Sequence, residues 1–109
     1  MNDFVENLHD VFSDFGRLQI RRMFGGCGIY HDGLMFALVA SDCLYLKVDP
    51  LNRQFFDQRH LAPFEYVKQG RRTQMSYHQA PEELFDDKAL AADWAKRSFE
   101  AALRAKRRS

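Results

Sequence analysis

The segment best suited to chemistry is the run Gly25-Gly26-Cys27-Gly28, which places a thiol among three glycines. A phosphate-binding loop of the Walker type would continue into Gly-Lys-Ser/Thr at a helix start, and this run does not. A catalytic cysteine needs a base within hydrogen-bond reach. His31 follows on a predicted strand, roughly 13 Å away along it. The pattern therefore favours a buried, unreactive Cys27, and an enzyme using Cys27 or a histidine base is the weakest alternative.

Metal binding is the second chemistry to consider. The candidate ligands are two cysteines and four histidines, namely Cys27, Cys43, His9, His31, His60 and His78. No Cys-x-x-Cys or His-x-x-x-His pairing occurs among them, so the sequence predicts neither a metal site nor a cofactor. Two cysteines are also few for the disulfide framework of a small secreted domain, which favours free thiols in the cytoplasm.

Residues 21–26 read Arg-Arg-Met-Phe-Gly-Gly and allow two interpretations. In the first they form a recognition surface, because guanidinium groups pair with carboxylates or phosphates and glycines admit a close partner. The candidate partner-binding residues are then Arg21, Arg22, Phe24, Gly25 and Gly26. In the second, which the sequence favours, the apolar residues fill the core and the glycines permit a bend. An arginine would then pair with a carboxylate of the first helix.

Two basic clusters suggest direct nucleic-acid binding as an alternative function. They comprise Lys68, Arg71 and Arg72 at a predicted turn, and Arg104, Lys106, Arg107 and Arg108 near the end of the chain. On one side of the molecule they would form a patch that follows phosphates. A solvated turn and helix end explain the same charges and are favoured, because no helix-turn-helix, zinc-finger or aromatic RNA-binding signature accompanies them.

The elements that position these residues can be read from apolar periodicity. An apolar stripe at helical spacing covers residues 3–15, and Asp49-Pro50 opens a short helix through about residue 58. Pro81 and Glu82 introduce a closing helix whose stripe extends to Leu103. Extended patterns cover 19–24 and 28–31 on either side of a bulge or bend at the glycines, 34–39 after an Asp32-Gly33 hairpin turn, 44–48, 64–68 and 73–78. With 19–31 counted as one interrupted strand, the order helix, three strands, helix, two strands, helix predicts an α+β two-layer sandwich with an antiparallel sheet.

Composition supports one folded domain. The chain has 109 residues, 46% of them apolar and ten of them Phe, which is enough for one core. A net charge of +1 gives no global attraction to nucleic acid or to an anionic membrane. The longest apolar run, 34–40, is too short to span a bilayer, so the chain is expected in the cytoplasm. Surplus aromatic surface at Phe55, Phe56 or Phe85 would suit a homodimer or a partner contact.

Several segments, in matching order, resemble the TfoX N-terminal domain family of the TfoX/Sxy competence regulators. The run Arg-Met-Phe-Gly-Gly at 22–26 is followed by a short strand, an Asp-Gly turn at 32–33 and an apolar strand. Further similar stretches are Leu-Tyr-Leu-Lys-Val-Asp at 44–49, Pro-Phe-Glu-Tyr at 63–66, and Met-Ser-Tyr at 75–77 leading to Pro81-Glu82. The resemblance covers about residues 8–104.

This resemblance implies the fold α-β-β-β-α-β-β-α in two layers, in agreement with the order of the patterns. It also implies a bacterial, non-catalytic regulatory or adaptor domain that binds a protein partner, such as a transcription factor, and helps control genes for DNA uptake. The family's full-length regulators carry a second, C-terminal domain, which residues 1–109 are expected to lack. The chain is therefore expected to be a single domain with a basic tail at about 104–109.

Overall fold

The structure, a computed structural model, describes residues 3–23 and 25–108. Its helices are α1 (Asp3–Val11), α2 (Arg53–Asp57), a 3₁₀ turn (Glu82–Asp86) and α3 (Lys88–Arg108). Its strands are β1 (Gln19–Met23), β2 (Gly26–His31), β3 (Leu34–Ala40), β4 (Cys43–Lys47), β5 (Pro63–Lys68) and β6 (Arg71–Gln79). The α+β class, the element order and the antiparallel sheet are confirmed, with the first predicted strand divided into β1 and β2. Among the residues described, none of the helices has the length and apolar character that crossing a bilayer requires.

The sheet has the order β1-β2-β3-β4-β6-β5, and every neighbouring pair is antiparallel. The predicted glycine break is a hairpin, because Gly25 has φ +75° and turns the chain from β1 into β2. The predicted Asp32-Gly33 hairpin is present, with φ values of 48° and 80°. Positive φ at both turn residues suits the right-handed twist of the flanking strands. The sheet therefore begins with three strands joined by two tight turns.

One face of the sheet carries the core. Leu46 of β4 lies opposite Ala37, and Leu44 lies opposite Val39, so alternate residues of both strands point toward the helices. All the helical elements contribute to this single core cluster, to which α3 adds Trp94 and Ala95. A register shift between β2 and β3 leaves Phe36 as an extra residue that also enters the core.

The helices are shorter or differently divided than the sequence predicts. α1 ends at Val11, and the carbonyl of Phe12 accepts hydrogen bonds from the amides of Phe15 and Gly16 in a turn. The closing helix is preceded by a 3₁₀ turn, and the Asp87 carboxylate caps α3 by accepting from the Leu90 amide at 3.0 Å. Apolar periodicity marks the inner face of a segment without showing where its backbone stops being helical.

The surplus aromatic residues pack against the core. Phe56 is only 1% exposed, and Phe85 lies 5.6 Å from the ring of Phe4. Phe55 is half-buried beneath the Arg97 guanidinium, which lies 4.2 Å from its ring centroid. These rings stabilise the helical layer, so the surface offered to a partner must be sought elsewhere.

Candidate functional site

The two arginines of the candidate partner-binding segment lie on β1, which is an edge strand. Both are exposed, and they point to opposite sides of the sheet because Arg21 pairs with Gly28 and Arg22 with Cys27. The Arg21 guanidinium lies 4.5 Å from the Tyr30 ring centroid, a cation–π contact, and not against a carboxylate of α1. Phe24, the apolar member of the predicted site, lies outside the described residues.

The glycines of this segment have different roles. A Cβ on Gly26 would lie 2.0 Å from the carbonyl oxygen of Val39, so the backbone of β3 already fills the space beside this residue. A Cβ on Gly25 would meet nothing within 4 Å, but its positive φ favours glycine. Both glycines therefore serve the hairpin itself. The predicted recognition role remains with Arg21 and Arg22.

Cys27 belongs to the core and is 7% exposed. The Nδ1 atom of His31 lies 2.8 Å from the carbonyl oxygen of Arg17, and that of His78 lies 2.9 Å from the carbonyl oxygen of Leu61. Two strands separate His78 from the strand of Cys27, a distance of roughly 14 Å across the sheet. Both imidazoles thus serve local structure, and the arrangement does not support the thiol-enzyme alternative.

Residues 3–23 and 25–108 also contain no group of three or more His, Cys, Asp or Glu side chains placed to hold a metal ion.

The face of the sheet opposite the core carries a row of aromatic rings, and we call it the open face. Tyr45 lies opposite Leu38, and its ring centroid is 5.0 Å from that of Phe64. The rings of Phe64 and Tyr66 are stacked, with centroids 6.0 Å apart and planes at 19°. The strand predicted over 64–68 puts Phe64 and Tyr66 on one face, because side chains alternate along a strand. Local alternation cannot show that Tyr45 joins them, because β6 lies between β4 and β5.

Cations accompany these rings on the open face. The Lys47 ammonium lies 5.1 Å from the ring centroid of Tyr77, its partner in register, and donates to the Ser76 hydroxyl at 2.7 Å. Burial raises the pKa of Tyr77 to about 12, and burial followed by the neighbouring Cys43 raises the pKa of Tyr45. Both phenols are therefore neutral at physiological pH, and the face has cationic rather than anionic character.

Carboxylates are segregated away from the open face. Within the described strands the only acidic residue is Glu65, whose neighbours Phe64 and Tyr66 point the other way. Glu65 accepts a hydrogen bond from the Gln74 amide at 2.8 Å on the opposite side of the β5–β6 hairpin. α1 and the 3₁₀ turn are acidic instead, with carboxylates at Asp3, Glu6, Asp10, Glu82, Glu83 and Asp86, whereas α3 has a basic last turn. The net charge of +1 is therefore distributed unevenly over the surface.

The first basic cluster is divided between the two faces. Lys68 and Arg71 pair across the β5–β6 turn and share the side of Tyr66, two residues before Lys68. Arg72 points to the other side, where its guanidinium lies 3.8 Å from the Glu65 carboxylate. Only Lys68 and Arg71 of this cluster thus extend the cationic character of the open face.

In the second cluster Arg104 has a structural role, because it forms an ion pair with Asp49. Its Nε and Nη2 atoms donate to the two oxygens of Asp49 at 2.6 and 2.9 Å. The Asp49 side chain is 4% exposed and also accepts from the backbone amides of Leu51 and Asn52. The hydrogen bonds from Arg104 hold the pKa of this carboxyl below its usual value. Lys106, Arg107 and Arg108 are exposed in the last turn of α3.

Both clusters lie at one end of the molecule. β6 runs antiparallel to β4, so its residues before Tyr77 extend past Lys47 toward Asp49, which binds Arg104. Arg104 and Arg72 are nevertheless already engaged by carboxylates.

The model of the TfoX N-terminal domain family matches residues 10–102 of this chain. The chain belongs to the TfoX N-terminal domain family. It is also 26% identical over 97 residues to Protein Sxy of Escherichia coli (strain K12), an alignment that covers 89% of this chain and 46% of that protein. The chain thus spans less than half the length of this curated relative. The resemblance stated from the sequence is confirmed.

The part of the chain that matches the TfoX N-terminal domain includes the β1–β2 hairpin and all strands of the open face. It ends before Arg104 and the exposed cations that follow. A sequence signal for the open face does exist, since Tyr45 and Lys47 alternate with Leu44 and Leu46. That alternation identifies two faces but does not show which other strands share them.

Proposed function

We propose that this chain is a non-catalytic regulatory domain that binds a protein partner in the cytoplasm and takes part in controlling genes for competence and DNA uptake. The observation that carries this proposal is the family match over residues 10–102, which contains an edge strand with two exposed arginines. A transcription factor is the kind of partner that the regulatory role of the TfoX/Sxy family suggests.

The β1–β2 hairpin suits recognition of a partner that presents carboxylates. An edge strand can pair with a strand of another protein, and its side chains then select the partner. Arg22 projects on the side of β1 away from the open face, and its planar guanidinium can form two parallel hydrogen bonds with one carboxylate. Buried Cys27 and the internally bonded histidines favour surface complementarity over bond-making chemistry.

The test replaces the chromosomal gene of this protein with an Arg22→Glu variant and measures transcripts of the DNA-uptake genes. Arg53→Glu is the matched control, because Arg53 is also exposed but lies on α2 in an ion pair with Asp57. We expect Arg22→Glu to lower these transcripts at least about tenfold, since a like charge opposes the partner's carboxylates. Equal transcript levels in the two variants, with both proteins folded, would contradict the proposal.

Direct nucleic-acid binding through both basic clusters, the alternative that the sequence left open, is less well supported by the geometry. Arg104 is committed to Asp49, and Arg72 lies beside Glu65. Lys68 and Arg71 differ from them because they accompany the ring row on the open face.

A further inference from the structure

We infer that the open face binds single-stranded nucleic acid, with bases stacked on the ring row and phosphates at the flanking cations. By the ring row we mean Tyr45, Phe64 and Tyr66. This inference goes beyond the proposed function, because it concerns a different surface and a different class of ligand. It also differs from the two-cluster alternative, since it places the ligand on the sheet and not at the end of α3.

The first argument is charge complementarity. Arg21 marks the β1 edge of the open face, Lys47 its centre, and Lys68 and Arg71 its β5–β6 edge. The described strands place no carboxylate on this side, since Glu65 points to the other. A polyanion crossing the strands would meet cations on β1, on β4 and on the β5–β6 hairpin. Apposition of two copies through this face would bring like charges together, which disfavours self-association here.

The second argument is the geometry of the rings. Aromatic rings on an open sheet face can stack on bases of any sequence, because every base has a π face. Tyr45, Phe64 and Tyr66 are each half-buried, and their neighbouring centroids are 5.0 and 6.0 Å apart. An acidic protein surface could use the cations but would not need such a row. Paired bases in a duplex are already stacked, which favours a single strand.

The third argument is length. Five inter-strand steps separate β1 from β5, so the open face is roughly 24 Å wide. This width fits within the molecular extents of 39 × 32 × 28 Å. A few nucleotides would cross it, which is similar to the small site sizes of other single-strand binding folds.

The experiment measures fluorescence anisotropy of fluorescein-labelled twelve-residue oligothymidylate and oligouridylate with the whole chain. We expect binding that weakens steeply with salt, and weaker binding to a duplex of the same length. Tyr66→Leu should weaken binding at least about fivefold, as expected when one base loses its stacking partner. Leu51→Ala, at an apolar residue that is 65% exposed and lies outside the sheet, should leave the affinity unchanged.

Two neighbouring arginines provide a test that does not depend on the rings. Arg71→Gln should weaken oligonucleotide binding and reduce its salt dependence by about one charge, while Arg72→Gln on the opposite side should change neither. Both residues are exposed, so both variants should fold. Arg22→Glu should bind the oligonucleotides like wild type, which separates failure of this inference from failure of the proposed function.

Results of three kinds, on the ligand, on the variants and on a competing peptide, would overturn the inference. The first is equal affinity for the single strand and the duplex, which would indicate charge attraction alone. The second is equal weakening by Arg71→Gln and Arg72→Gln, or no weakening by Tyr66→Leu in a folded protein. The third is tighter binding of a twelve-residue oligoglutamate peptide than of either oligonucleotide, which would assign the open face to an acidic protein partner.

Discussion

The two faces of the sheet use the same strands for different purposes. On the helical face Ile29, Phe36 and Leu46 are 0% exposed and lie beneath the helices. On the open face the alternating positions carry Tyr45 and Lys47, which are only half-buried. Four of the six cations of the described strands also lie on the open face. The alternation of side chains along each strand therefore separates the buried core from the rings and cations of the open face.

The open face is itself partly packed. Leu38 and Tyr77 are 4% and 6% exposed, although neither belongs to the core cluster beneath the helices. The Tyr77 hydroxyl lies 3.4 Å from the carbonyl oxygen of Met35, to which it donates. A surface whose side chains are already ordered loses less conformational entropy when it binds a ligand. This packing distinguishes the open face from an ordinary solvated sheet surface.

The largest effect should come from the helical face. Phe36→Ala should lower the free energy of unfolding by about 3–5 kcal/mol, because it removes a fully buried ring. That ring contacts Phe12 and Phe15 at centroid distances of 5.7 and 5.1 Å. Met35→Ala, one residue earlier and half-buried, should cost only about 1 kcal/mol. Urea unfolding measures both, and similar losses would show that the two faces contribute equally to stability.

The next effect concerns the basic residues of α3. Arg104→Met should cost about 2–3 kcal/mol, because it leaves Asp49 buried without its cation while the arginine itself was partly exposed. Arg107→Met, in the last turn, should change the free energy of unfolding by no more than about 0.5 kcal/mol. If both variants unfold at the same urea concentration, Arg104 does not have the structural role that its contacts with Asp49 indicate.

The same ion pair should make stability depend on pH. The pKa of Asp49 is lowered in the folded chain, so the unfolded chain takes up a proton first as the pH falls. The contribution of the pair is present above about pH 4, near the unfolded Asp pKa, and is lost as the pH falls through the folded value. The difference in unfolding free energy between wild type and Arg104→Met should shrink below about pH 4. A difference that persists or grows there would contradict this.

A similarly small effect on stability should come from the centre of the open face. Lys47→Gln should change the free energy of unfolding by only about 0.5 kcal/mol, because its hydrogen bond to Ser76 is exposed. It should nevertheless reduce the salt dependence of oligothymidylate binding by about one charge. An unchanged salt dependence in a folded variant would remove Lys47 from the binding surface.

Local signals in the sequence predicted much of the fold. The Asp32-Gly33 turn, the alternation over 44–48 and the apolar helical stripes each depend on near neighbours, and the structure contains them. The resemblance to the TfoX family rested on segments in matching order and is confirmed. The glycine break was expected as a bulge or bend and is a tight hairpin. The apolar pattern shows that the strand is interrupted there, but it does not show how sharply the chain turns.

Long-range pairing could not be predicted in this way. The insertion of β6 between β4 and β5 brings Tyr45 beside Phe64, and nothing local encodes that order. Asp49 and Arg104 are 55 residues apart in the chain, so Arg104 looked like one more cation of a basic tail. The sequence therefore predicted the candidate site as charged segments. It could not predict which of their residues lie on which face, because that depends on how the strands pair in the sheet.

The most direct test of the division between the faces is amide chemical-shift mapping of the ¹⁵N-labelled chain during titration with twelve-residue oligothymidylate. We expect shifts that follow the open face across β1, β4 and the β5–β6 hairpin, with the acidic α1 unchanged. Shifts confined to the last turn of α3, or spread equally over both layers, would contradict the inference that the open face binds single-stranded nucleic acid.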